Sequence, residues 1–238
     1  MAQTQILGGG TLQPGVALAV DPLFAAARVA LRPLDYSNAG QLLGHYAVAQ
    51  ASGASVSLGA LAHAASLRWA DTTRYCVLMR IKAGWSVTAA VTAATPMDMR
   101  AIIARGFSVD FTTNSTAANL AAAAKTGQMR GNMAPSLMGV NGPRILTTAA
   151  MSGQTITADA DPFAMTVWQN QPSGNATVTQ AIGVGGPMQT LYEYTALSQH
   201  PIVLGANEGV ILQPLTAGPT TGAIKYYTQW EWAEVLVF

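Results

Sequence analysis

The chain has 238 residues, of which 50% are hydrophobic and only 10% are charged. An ordinary globular protein carries about 25% charged residues, so this chain cannot cover its surface with charge, and we expect part of that surface to be buried against other subunits. The formal net charge of +1 argues against a general attraction to nucleic acid or to an anionic membrane. The length fits one large β-domain or two small ones.

Residues 1–40 are apolar but interrupted by glycine and proline, which predicts an N-terminal arm with little regular structure beyond a short candidate helix at Leu23–Ala30. Apolar side chains gain free energy when they leave water. We therefore expect the arm to pack on a neighbouring subunit or another partner in an assembly rather than on its own domain. Its predicted interface residues are Leu12, Val16, Leu18, Val20, Leu23 and Phe24.

The beginning of the chain also lacks the pattern of a secretion signal. The apolar run Val16–Leu31 is broken by charged residues and proline, unlike a transmembrane helix. These features predict a soluble protein that is made in a cytoplasm. The lone Cys76 excludes an intramolecular disulfide and is expected to behave as a small buried hydrophobic residue.

Residues 41–238 carry many short strand patterns and no βαβ rhythm. We predict an all-β fold for this domain, a jelly-roll-like antiparallel β-sandwich with little helix. The predicted strands are His45–Gln50, Ala65–Trp69, Tyr75–Ile81, Ser86–Thr92, Arg105–Phe111, Arg144–Thr148, Gln154–Ala158, Met165–Trp168, Ile202–Leu204, Gly209–Gln213 and Ala223–Val237.

Several segments between these strands have other patterns. Ser55–Ala65 and Asn119–Lys125 are alanine-rich candidate helices. Met97–Ile103 fits either a strand or a helical turn. Long loops are predicted at Thr112–Pro143 and Pro172–Pro187, where glycine, asparagine and proline accumulate.

The charges are segregated along the chain. All nine arginines lie at or before Arg144, and all four glutamates lie after residue 190. In a sheet that interleaves early and late strands, these opposite charges can meet across the fold or across a subunit boundary. A chance asymmetry among so few charges is the alternative.

Few residues point to catalysis or metal binding. His45, His63 and His200 lack metal-ligand spacing, although three histidines can converge in space. Asp159 and Asp161 share one face of an extended strand and could bind Ca²⁺, but a turn before Pro162 is the favoured interpretation. We predict no cofactor and no metal.

The last predicted strand places Trp230 and Trp232 on one face, with Glu231 on the other. Such an aromatic pair is typical of a core or of an interface anchor, and we predict an interface. An exposed pair would instead stack on a sugar ring. Glu231 and Glu234 lie on opposite faces, which argues against a glycosidase pair.

Several blocks of the sequence, taken in order, carry a family resemblance. They are Arg28–Pro33, Leu43–Tyr46, Leu67–Asp71, Val77–Ile81, Ala104–Val109, Arg144–Ala150, His200–Leu204, Asn207–Leu212 and Trp232–Val235. Together they resemble a family of tailed-bacteriophage virion structural proteins. The resemblance implies a β-sandwich located in virions or encoded in prophage-derived gene clusters, and it brings no catalytic residues with it.

The expected function is therefore non-enzymatic. The chain would decorate or cement a phage capsid as a homo-oligomer, with a trimer among the expected states and the major capsid protein as a partner. A neck or tail component, a receptor- or glycan-binding fibre module, and a glycan-degrading enzyme are the alternatives. We expect no nucleic acid or membrane partner, and the virion as the location.

Overall fold

The structure is a computed structural model, and it describes residues 44–91, 96–118, 120, 136–138, 142–168, 185–195 and 200–235. Within these ranges the regular elements are all strands, with no helix. The strands are β1 (His45–Ala51), β2 (Ala65–Trp69), β3 (Tyr75–Ala89), β4 (Asp98–Val109), β5 (Ser115–Ala117), β6 (Pro143–Leu146), β7 (Thr155–Ala158), β8 (Ala164–Val167), β9 (Gly185–Glu193), β10 (Ile202–Leu204), β11 (Glu208–Gln213) and β12 (Ala223–Val235).

The strands form two antiparallel sheets. The first sheet has the order β1-β12-β3-β10, with β9 also paired to β3. The second has the order β5-β6-β2-β11-β4-β7, with β8 also paired to β4. Buried side chains from both sheets belong to one hydrophobic core. The predicted all-β antiparallel sandwich is therefore confirmed.

The pairings are nested along the chain. β1 pairs with β12, β2 with β11, β3 with β10, and β4 with β7, each antiparallel. Successive nested pairs alternate between the two sheets. Rolling one long antiparallel ribbon into a sandwich produces such an order, and the predicted jelly-roll topology requires it.

β12 is the central strand of the first sheet. It pairs with β3 along its whole length and with β1 over Tyr227–Ala233. Its core face carries Tyr226, Thr228, Trp230, Trp232 and Glu234, all of which are buried. Period-two alternation therefore places five consecutive inward positions of one strand in the core.

The segment Ser55–Ala65, predicted as a candidate helix, is an irregular connection that joins β2 at its end, so that prediction was wrong. Its backbone N–H groups bond to distant carbonyls: Ser55 to Ile224, Leu61 to Pro214 and Ala64 to Leu212. Ser57 and Leu61 have positive φ angles of 56° and 60°, which a helix does not allow. Long-range hydrogen bonds have replaced the local ones of a helix.

Two strands each join segments that were predicted separately. β3 continues through Gly84, where the Met188 side chain from β9 lies over the glycine and would be 2.9 Å from an added Cβ. β4 joins the ambiguous Met97–Ile103 segment to the next predicted strand. Its residues Ala101–Ala104 are all buried, so both faces of the strand are covered and alternation is lost.

Other predicted boundaries changed or lie outside the described residues. The predicted loop Thr112–Pro143 contains the short strand β5, and β9 begins within the predicted loop Pro172–Pro187. The N-terminal arm with its candidate helix lies outside the described residues, and so does the candidate helix Asn119–Lys125 except for Leu120.

Two of the early arginines meet late glutamates across the sheets, which is one of the two possibilities that the sequence left open. Arg80 Nε lies 2.7 Å from Glu231 Oε2 on one side, and Arg80 Nη1 lies 3.5 Å from Glu193 Oε1 on the other. Arg105 Nη1 lies 3.4 Å from Glu208 Oε1 in the second sheet. Early arginines and late glutamates therefore pair because early and late strands alternate in each sheet.

Candidate interaction surface

The two tryptophans predicted as interface anchors lie in the core of the chain itself. Trp230 and Trp232 are both 0% exposed. The Trp232 ring stacks on Tyr46 of β1, with ring centroids 5.6 Å apart. The interface prediction for these two residues was wrong, because the adjacent strands and the opposing sheet cover the face that they share. Neither indole is accessible to a partner or a sugar ring. The six interface residues predicted in the arm lie outside the described residues.

Three of the residues considered for catalysis and metal binding have structural partners, whereas His200 and Asp161 are exposed. Asp159 pairs with Arg105 at 3.4 Å and lies at the turn that was predicted before Pro162. His63 contacts the edge of Phe111 and lies 3.2 Å from Gln154, and burial lowers its pKa. His45 lies 4.0 Å from Glu231. Burial lowers the pKa of His45 as well, although Glu231 acts in the opposite direction.

Glu234 is a buried carboxylate that anchors part of a long loop to β12. Its Oε1 accepts hydrogen bonds from Ser136 Oγ at 2.5 Å, from Leu137 N at 3.1 Å and from Trp232 Nε1 at 3.2 Å. Burial raises the pKa of the Glu234 carboxyl, although these hydrogen bonds and Arg74 act in the opposite direction. Sequence reasoning missed this contact, because Ser136 is 98 positions away in the chain.

We expect the free energy of unfolding to depend on pH through Glu234. The pKa of the Glu234 carboxyl is raised in the folded state, whereas a glutamate in the unfolded chain has a pKa of about 4.3. Between these two pKa values, the carboxyl is protonated in the folded chain and ionised in the unfolded chain. Stability from this group therefore falls as pH rises through that window. Glu234→Gln should remove the dependence and keep an oxygen acceptor for Ser136. Urea unfolding of the wild type and of Glu234→Gln across pH 4–8 tests this. The difference between their free energies of unfolding isolates Glu234, because the other titrating groups are common to both proteins. A difference that does not change with pH would contradict the prediction.

An exposed apolar patch lies on β8, at the margin of the second sheet next to β9. Met165 and Val167 of β8 are 57% and 55% exposed, and Met188 of β9 is 42% exposed. Trp168 Nε1 donates to the Pro187 carbonyl at 2.9 Å, and Thr166 Oγ1 bonds to Gln189 Oε1, so the two strands are held together. Met188 lies against Gly84 of β3, whereas Met165 and Val167 share the face of β8 opposite Thr166. We call Met165 and Val167 the β8–β9 patch.

β1 lies at one end of the first sheet, away from β9 and β10 at the other end. Glu234 N donates to the Gly44 carbonyl and Ser52 N donates to the Tyr226 carbonyl, so the backbone of the even-numbered residues of β1 faces β12. The amides and carbonyls of His45, Ala47, Ala49 and Ala51 therefore point away from β12. Among the described strands, β12 is the one that pairs with β1.

Comparisons with protein-family models, with curated proteins and with solved structures found no match. In the part of the chain that the structure describes, no three His, Cys, Asp or Glu residues are grouped so that they could hold a metal ion. No described helix has the length and apolar character needed to cross a membrane. The surfaces best suited to interaction are the β8–β9 patch and the edge of β1.

Proposed function

We propose that this chain is a structural protein of a tailed-bacteriophage virion, with a jelly-roll topology, that decorates or cements the capsid as a homo-oligomer. It acts by burying uncharged surface against sister copies and the major capsid protein. An interface of standard size buries about 1,600 Å². Many such contacts repeated over a shell add up to a stable assembly without strong individual contacts.

The observation that carries this proposal is the exposed β8–β9 patch. Met165 and Val167 leave more than half of their surface in water, although they lie on a strand beside well-packed neighbours. Methionine is common in interface cores, whereas charged residues are depleted there. The low charged fraction of 10%, the nested β-pairings and the resemblance to phage virion proteins give further support.

The glycan-binding alternative depended on an exposed pair of indoles. Trp230 and Trp232 are buried, so a sugar cannot stack on them. The glycosidase alternative required two carboxyls in a cleft. Glu231 is paired with Arg80, and Glu234 is bonded to Ser136 and Leu137 beneath the surface. No observation favours either alternative over the virion proposal.

Light scattering tests the self-association that the proposal requires. At micromolar concentration the full chain should have a mass that is a multiple of 24.7 kDa. Met165→Lys combined with Val167→Lys should shift the protein toward monomer, because two charges would need to be desolvated in the interface. Val56 is a matched control, since it is 52% exposed but lies in the connection after β1, so Val56→Lys should leave the mass unchanged.

A soluble wild-type monomer would contradict the proposal. Mass spectrometry of purified particles gives a second test. A copy number comparable with that of the major capsid protein supports decoration of the capsid. A few copies per particle would instead favour the neck or tail alternative, and absence from particles would rule out a virion role.

A further inference from the structure

The outer edge of β1 has the chemistry of a strand-pairing site. Four consecutive outward positions offer backbone donors and acceptors that do not face β12, and three of them are alanines with little side-chain bulk. β1 contains no lysine, acidic residue or proline. Natural proteins use such residues, as well as bulges, to block pairing at exposed edges. In the part of the chain that the structure describes, this edge therefore lacks the residues that usually protect such an edge.

A groove lies beside this edge. The second sheet continues past β2 by two strands, β6 and β5, whereas the first sheet ends at β1. The groove between them has a volume of about 270 Å³ and is lined by Val48, Gln50, Thr116, Ala118 and Ile145. This is below the ~300–1,000 Å³ of small-molecule pockets, and aliphatic side chains of an added strand fit it better.

Gln50 supplies an independent sign of a missing partner. Its Nε2 reaches the Thr116 carbonyl at 3.4 Å, but its Oε1 is buried and has no hydrogen-bond partner among the described residues. Buried acceptors in proteins are nearly always bonded. The unpaired oxygen therefore indicates that a donor from outside the described residues reaches this groove.

We propose that residues Val16–Val20 of a neighbouring copy of the chain dock beside β1 as an added strand of the first sheet. This inference rests on the proposed function, because it requires self-association. In β1, the larger residues Tyr46, Val48 and Gln50 alternate with alanines. Val16–Val20 has the same alternation, with Val16, Leu18 and Val20 separated by alanines. In register, its large residues would fill the groove, and its alanines would lie beside those of β1.

The chain is long enough to reach a neighbour. About 24 residues separate Val20 from Gly44, and a chain of that length spans up to roughly 80 Å when extended. A folded domain of this size has a radius of gyration of only about 16–17 Å. The segment can therefore leave its own domain and pair with the next one.

Cysteine cross-linking tests the docking on the full chain. Alanines directly opposite each other on paired strands have Cα atoms about 4.5–5.5 Å apart, which suits a disulfide. We would combine Ala17→Cys or Ala19→Cys with Ala47→Cys or Ala49→Cys to cover the registers. Cys76 is buried and gives little background. At least one pair should form covalent dimers and larger species on a non-reducing gel, whereas Ala19→Cys with Ala60→Cys, an exposed loop alanine, should not.

A second variant needs no disulfide. Ala49→Lys places a charge at the edge and should weaken self-association by about tenfold or more, while the matched Ala60→Lys should not. Cross-links confined to single chains would overturn the proposal, because the segment would then pair with its own domain. A multimer that forms no cross-link in any register and is unaffected by Ala49→Lys would also overturn this inference. The proposed function would stand in that case. A monomeric wild type would overturn both.

Discussion

Deleting β12 from Tyr227 onward is expected to leave the protein insoluble. β12 lies between β1 and β3, so its loss would expose an unpaired edge on each of them and invite aggregation. The deletion also removes Trp230 and Trp232, which are completely buried. Losing one buried tryptophan costs about 3–5 kcal/mol, and the whole stability of a domain is about 5–15 kcal/mol. Fractionation of expressing cells and far-UV circular dichroism measure the outcome.

Single substitutions show how much the buried side chains of β12 contribute, apart from its strand pairing. Trp232→Ala should lower the free energy of unfolding by about 3–5 kcal/mol, because it also removes the stacking on Tyr46. Tyr227 is a matched control on the other face of β12, where its hydroxyl is 2.9 Å from Ser86 Oγ. Tyr227→Ala should cost about 1–2 kcal/mol. A soluble deletion variant with an unchanged spectrum, or equal losses from both substitutions, would contradict the central position of β12.

Short strands bounded by clear turn residues were predictable from the sequence. Ala65–Trp69 and Ile202–Leu204 match β2 and β10 residue for residue, because alternation and nearby turn residues are local signals. The sequence predicted β4 as two segments, and the first of them fitted either a strand or a helical turn. Ala101–Ala104 are buried on both faces, and such a continuous apolar run does not distinguish a strand from a helix. The failure at Ser55–Ala65 has another cause. Alanine favours a helix, but tertiary hydrogen bonds to Ile224 and Pro214 prevail over that local preference.

The candidate interaction surface was less predictable than the strands. The period-two alternation correctly placed Trp230 and Trp232 on one face of β12. The sequence did not show that this face is covered by the protein's own strands, because that depends on the order of the strands in the sheets. The edge of β1 that pairs with no described strand could not be predicted either, because a strand pattern does not show whether a neighbour lies on both sides. The pairing of early arginines with late glutamates was predictable, since it needs only that distant strands alternate. The Glu234–Ser136 contact gave no local signal.

Arg68→Lys is expected to destabilise the fold by roughly 3 kcal/mol. The Arg68 guanidinium ties β2 to the end of β4 and to the turn before β11. Its Nε donates to the Phe107 carbonyl at 2.5 Å, and its Nη2 donates to the Ser108 carbonyl at 2.9 Å and to Asn207 Oδ1 at 2.8 Å. Its Nη1 lies 3.3 Å from Asp110 Oδ2 in a mostly buried pair. A lysine ammonium lacks the planar fork needed to reach all four acceptors, and each charged hydrogen bond contributes about 1.5–3 kcal/mol.

Arg105→Lys provides the matched control for this substitution. Arg105 also has two acidic partners, Asp159 and Glu208, but its side chain is 57% exposed and both contacts are 3.4 Å long. Exposed ion pairs contribute only about 0–1 kcal/mol, so this variant should unfold at nearly the wild-type urea concentration. Arg68→Lys should shift the midpoint down by several times as much at an unchanged slope. Equal midpoints for the two variants would mean that the Arg68 contacts do not hold the second sheet together, and that apolar packing around Phe107 alone positions the turn before β11.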